Sequence, residues 1–174
     1  AHASFYKNWA GGAPYYRGAT DMLTTDGIHA VDTLRWLCDG EVESVAGDSR
    51  RLDAEHWNMH LALVRFSSGA TGVLLVNFMA GRRIFSVEIH APGVTFFGDP
   101  EEGGKLYADS QLDPVETLDP FAMADSDQPH RAFGPWEMTA HFLDAVRRKR
   151  PMETCFDDAL KTMELVDAVY GEQI

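Results

Sequence analysis

The pair of residues best suited to chemistry in this 174-residue chain is His29 and Asp32. Three positions apart in a segment with helical periodicity, they share one helix face. A carboxylate beside an imidazole fixes its tautomer and stabilises its protonated form, as a general base requires. An ordinary structural His–Asp hydrogen bond is the competing reading. A second pair, His56 and His60 in the run His56-Trp57-Asn58-Met59-His60, has the spacing of two helical zinc ligands. Trp57, however, stands where a zinc hydrolase needs Glu, and the run enters a predicted strand, where such positions lie far apart. No metal is expected there. The sequence holds no GxSxG elbow, no Walker loop and no GxGxxG fingerprint, so neither an esterase nor a nucleotide-binding turn can be read from it.

The elements that must position these groups follow from periodicity. Ile28, Val31, Leu34 and Leu37 recur at helical spacing and Gly40 stops the run, which predicts a helix over about 26–38 with an N-cap from Thr24, Thr25 or Asp26. The opening, up to Asp21, reads as a strand or arm and then a loop. Strands are expected over 42–51, 60–66 and 71–78, the last two joined by the turn Ser67-Ser68-Gly69-Ala70. Phe85, Val87 and Ile89 alternate with polar residues, and Pro92-Gly93 turns the chain into a further strand from Val94. Two short strands are expected near 105–108 and 115–118. Two helical stripes close the chain: Trp136, Thr139, Phe142, Leu143 and Val146, then Leu160, Met163, Val166 and Tyr170. The fold class is α+β, an open, mostly antiparallel sheet with helices on one face, forming a single domain over 1–174.

Composition narrows the function. A net charge of -12 and a pI near 4.8 argue against a nucleic-acid partner. The one basic run, Arg147-Arg148-Lys149-Arg150, reads as the last turn of a helix, where positive charge meets the negative dipole end. Cys38 and Cys155 make neither a disulfide framework nor a zinc knuckle and are expected as buried small hydrophobes. With no bilayer-length apolar stretch and no leader, a cytoplasmic protein is expected, with no membrane partner.

The segment Thr25-Asp26-Gly27-Ile28-His29-Ala30-Val31-Asp32-Thr33-Leu34-Arg35-Trp36-Leu37, with Gly40 and Val42-Glu43-Ser44-Val45 after it, resembles the C-terminal domain of the Gfo/Idh/MocA family of NAD(P)-dependent sugar and inositol dehydrogenases. The hairpin at Phe66–Gly72 and the block Phe156-Asp157-Asp158-Ala159-Leu160-Lys161-Thr162 are similar too, so the likeness runs from about Asp21 to Tyr170. The resemblance implies the second half of a two-domain enzyme, whose first half is a Rossmann domain holding NAD or NADP and a Glu-Lys-Pro lysine. Neither feature occurs here, so no cofactor-binding residue is expected in this chain, which alone should be inactive. By resemblance His29 is the base or proton relay, and Asp32 binds sugar hydroxyls or orients His29. Many family dehydrogenases have Asp four residues before the His; here that position is Thr25, and Asp26 is displaced by one, about a hundred degrees round a helix. Asp26 is thus an N-cap or a substrate ligand, and Tyr16 and Arg17 are cleft residues or ordinary loop.

Two functions compete. In one, the chain is the substrate-binding and assembly domain of an oxidoreductase acting on a sugar-like polyol. In the other, it is a non-catalytic ligand-binding or oligomerisation module of the same fold. Assembly is expected in both. Leu61 and Leu63 oppose Ala62, Val64 and Phe66, and Val73 and Leu75 oppose Leu74, Val76 and Phe78, so both strand faces are apolar. Helices on one side leave the other for a second copy, or for the acidic 99–128 segment folding back over it.

Overall fold

The computed structural model describes residues 1–9 and 21–171; Tyr16 and Arg17 lie outside them. Among the described residues, eight strands form one sheet, β1 (His2–Asn8), β2 (Val42–Arg50), β3 (Met59–Phe66), β4 (Thr71–Asn77), β5 (Met79–Ala91), β6 (Val94–Asp99), β7 (Gly103–Ala108) and β8 (Glu116–Leu118). Their order is β2-β3-β4-β1-β5-β6-β7-β8. All neighbours are antiparallel except β1 and β4, which run parallel. The run of consecutive strands is therefore split, because the opening strand inserts between β4 and β5. Gly69 at φ +85° and Gly93 at φ +75° make the two tight turns that the sequence marks.

Helix α1 (Ile28–Cys38) lies across β4 and β1, burying Ala30, Val31, Leu34 and Cys38. Gly72 lets it approach, since a Cβ there would stand 3.0 Å from the Leu34 side chain. Helix α5 (Phe156–Val169) packs on β2 and α1. Its buried stripe is Thr162, Leu165, Val166 and Val169, one step round from the expected one; Leu160 is exposed. The reason is polar: Arg35 of α1 bonds Asp158 at 2.5 Å and Thr162 at 3.0 Å, which turns that side of α5 inward.

The acidic segment and the residues directly after it carry two short helices absent from the periodicity, α2 (Pro120–Met123) and α3 (Pro129–Ala132), each opened by a proline in its first turn. With α4 (Pro135–Arg148) they stand on the same side of the sheet as α1, so the segment does not cover the open face. Of α4's residues only Ala145 is buried, and its apolar stripe stays half open to solvent. Arg147 and Arg148 end this helix as expected. Cys38 is buried, and burial pushes its thiol up; Cys155, in the extended N-cap position of α5, is only partly buried. No helix among the described residues is long and apolar enough to cross a membrane.

Candidate active site

The site is assembled where β1 ends and α1 begins. Antiparallel packing of the helix on β1 brings its N-terminal residues over the strand's last ones. The start of the helix differs from expectation, because a π-helical turn, Leu23–Gly27, precedes α1 without a break. Thr24, Thr25 and Asp26 therefore sit inside the turn and do not cap it. Capping comes from Asp21, whose carboxylate accepts from the Thr24 backbone N–H at 2.9 Å and from the Thr24 hydroxyl at 2.9 Å. Gly27 is buried, with its missing Cβ 3.0 Å from Val76, so the turn lies against β4. A π turn at the head of a helix is a frequent mark of a functional position.

His29, the second residue of α1, is solvent-exposed, with its ring 6.1 Å from that of buried Phe5. Phe5 is packed in turn against Phe85, 5.7 Å away, and Phe78, 6.2 Å away. The Arg83 guanidinium stands 5.4 Å over the same ring and forms a two-bonded ion pair with Glu101. Two residues after Phe5, and so on its face of the sheet, Lys7 donates to Asp26 at 2.5 Å and lies 5.2 Å from the Trp9 ring. An exposed imidazole thus borders an aromatic floor, with one ion pair in the preceding turn and a second cation over the floor.

The structure brings His29, Asp26, Lys7, Phe5 and Arg83 to this end of the sheet. Asp32 is engaged elsewhere, accepting from the Thr162 hydroxyl at 2.6 Å with Arg35 at 3.6 Å. Thr25 turns back to donate to the Asp21 carbonyl. Lys7 and Arg83 escaped the sequence reading because their relevance depends on which strands neighbour β1; Lys7's place two after Phe5 was the available signal.

The other histidine motif is structural. His60 is buried, its Nδ1 2.9 Å from the Ser49 hydroxyl and its ring edge-on to Tyr170 at 5.1 Å. Burial lowers its pKa to about 4, against the opposing pull of the Asp21 carboxylate. The Tyr170 hydroxyl donates to Asp21 at 2.8 Å, and burial, then that bond, pushes its pKa up. Among the described residues no three His, Cys, Asp or Glu side chains converge as a metal site.

An open antiparallel sheet, covered by helices on one face, with a histidine at the head of the covering helix, defines the class. The chain belongs to the GFO/IDH/MocA C-terminal domain family, whose model matches residues 1–99. Comparison with curated proteins yields no match. Among solved structures it is similar to a dehydrogenase from Chromobacterium violaceum, with 21% identity, 98% of this chain, 51% of that one and a TM-score of 0.80. Levoglucosan dehydrogenase in complex with NADH and L-sorbose is similar at 14% identity, 98% and 54% coverage, and TM-score 0.77. An oxidoreductase from Agrobacterium radiobacter in complex with NAD+, L-tartaric acid and magnesium is similar at 16%, 98% and 53%, and 0.68. At such identities the likeness is one of fold. The chain spans about half the length of these relatives.

Proposed function

We propose that this chain is the substrate-binding and assembly domain of an NAD(P)-dependent oxidoreductase that acts on a sugar- or inositol-like polyol, with a Rossmann domain in the part of the protein outside these residues. The observation that carries the reading is His29, exposed at the head of α1 above the Phe5 floor, in a chain of this family. Solved relatives of the same fold bind NADH with L-sorbose and NAD+ with L-tartaric acid, which favours small polyhydroxylated substrates.

The residues present fit the substrate side of such a reaction and not the cofactor's own cradle. Among the described residues no strand–turn–helix unit offers a glycine-rich turn for a pyrophosphate. A bound nicotinamide supplies the hydride acceptor. An imidazole nitrogen of His29 takes the proton of the reacting hydroxyl, and Phe5 gives the carbon skeleton an apolar face to lie against. Asp26, held by Lys7, offers a carboxylate one position from the family's usual one. Asp32 acts through α1, fixing its orientation against α5. Tyr16 and Arg17, outside the described residues, are proposed as further substrate-binding residues on the family resemblance alone.

In the full-length protein His29→Ala should lower turnover by about a hundredfold to ten-thousandfold, the usual loss for a general base, with the melting temperature nearly unchanged. Normal turnover with a lowered melting temperature would make His29 structural. One observation favours a second reading, a non-catalytic module: Thr25 replaces the carboxylate, and Asp26 is tied to Lys7. That reading requires the full-length protein to show no dehydrogenase activity across a polyol panel. NADH titrated against this chain alone should give no saturable fluorescence change at micromolar concentration.

A further inference from the structure

His29, Thr33 and Trp36 lie on one stripe of α1, at spacings of four and three. Trp36 is 76% exposed, far more than a tryptophan on a packed helix should be. Thr33, Trp36 and Leu37 form one wall of a cavity of about 700 Å³, with Val87, Ile89 and Phe96 as its floor and Met123 on the opposite wall. The floor is shaped by glycine. A Cβ at Gly98 or Gly104 would stand 2.4 Å from Phe96 ring atoms, so the ring lies flat across both. This is an apolar space, open to water, on the same stripe as the candidate base.

The register shows what borders it. β1 and β5 pair His2 with Glu88, so one step earlier Ala1 stands opposite Ile89, on the floor side. Ala1, Leu37 and Ile89 are partly buried against the same core. Because β1 runs parallel to β4 and opposite to α1, a chain entering β1 arrives at the Trp36 end of the helix and not at the His29 end. The chain also spans about half of its solved relatives, and its family model describes a C-terminal domain.

We infer that the stretch immediately preceding Ala1 in the longer protein packs apolar side chains into this cavity, against Trp36 and Phe96. The inference rests on the reading above, that the chain is one half of a two-domain protein. Seated there, the stretch lies at the foot of the stripe that leads to His29. It thereby fixes where the preceding domain stands over the candidate site.

Hydroxyl-radical footprinting of Trp36 and Met123 tests this in three proteins: the present chain, the chain extended upstream by roughly 20 residues (enough for one helix of ~30 Å), and the full-length protein. Oxidation of both residues should fall severalfold on the short extension and stay low at full length, while exposed Met138 is unchanged. Equal oxidation in all three overturns the inference. So does protection at full length alone, which assigns the cavity to a more distant part. Protection already present in the unextended chain overturns it too, because a second copy is then the occupant. Turnover of the full-length protein separates the two readings. Protected Trp36 in an inactive protein leaves the cavity assignment standing and removes the dehydrogenase; an active protein with Trp36 open does the reverse.

Discussion

Histidine chemistry depends on whether water reaches the ring, and this chain holds both cases. His29 is exposed, as the proposed exchange of a proton with a substrate hydroxyl requires; His60 is buried, its Nε2 without a partner among the described residues, beside Ser49, Tyr170 and Asp21. His60 should make stability pH-dependent. Its pKa falls from the ordinary 6.5 to about 4 on folding, so between those values the unfolded chain binds more protons than the folded one. The contribution is fully present above pH 6.5 and is lost as the pH drops toward 4, about 3 kcal/mol in all. Urea midpoints measured from pH 7.5 to 4.5 should fall accordingly, and His60→Gln should flatten the slope; an unchanged slope would assign the acid sensitivity to other groups. Sequence showed part of this. Residue type and spacing single out His29 and Asp32, of which Asp32 bonds to Thr162 instead; Lys7, Phe5 and Arg83 join His29 through pairing of β1 with distant strands, which spacing along the chain does not encode.

The elements form mostly where periodicity places them, because each long segment satisfies its own pattern. The differences arise where a polar contact between elements outweighs a local preference. Thr162 is the case in point: nearly fully buried, it accepts from Arg35 and donates to Asp32, joining α5 to α1 and rotating the apolar stripe that the sequence shows. Thr162→Val keeps the volume and removes both bonds, and should cost about 1–2 kcal/mol in urea unfolding. A value near zero would mean that the clamp is carried by Arg35–Asp158 alone. At the C-terminal end of α5, Gly47 of β2 faces the last turn of the helix, where an added Cβ would meet the Val169 carbonyl oxygen at 2.3 Å. Gly47→Ala forces the last turn of α5 away from the sheet and should cost about 1–3 kcal/mol. The head of α1 differs from its pattern for a related reason: Asp21 takes over the capping for which Thr24, Thr25 and Asp26 are suited, and the backbone there winds into a π turn.

At the scale of the molecule, the open face of the sheet is where the proposed assembly would form. One row of side chains crosses it from β2 to β8: Ala46, Leu63, Val73, His2, Glu88, Phe97, Lys105 and Thr117. Leu61 and Leu75 form a second tier beside Leu63 and Val73. The apolar part is therefore concentrated on β3 and β4, where Leu63 is 43% and Val73 is 42% exposed, while the centre is polar, with Ser4 and Ser86 bonded at 2.6 Å. This is more graded than two wholly apolar faces, and it changes what a partner must look like. A two-fold axis through the polar centre would bring Val73 of one copy over Phe97 of the other and Leu63 over Lys105, with His2 meeting Glu88. The acidic segment cannot serve instead, since α2 and α3 stand on the helix side. A homodimer through this face, burying on the order of 1,500 Å², is the proposed assembly. Sedimentation equilibrium at micromolar concentration should give a dimer for the present chain. Leu63→Lys with Val73→Glu should give a folded monomer, because a lysine would face Lys105 and a carboxylate would be buried without a partner against Phe97. A monomer before any substitution would reject the assembly, and a dimer that survives both substitutions would place the contact on another surface, the half-open stripe of α4 being the first to test.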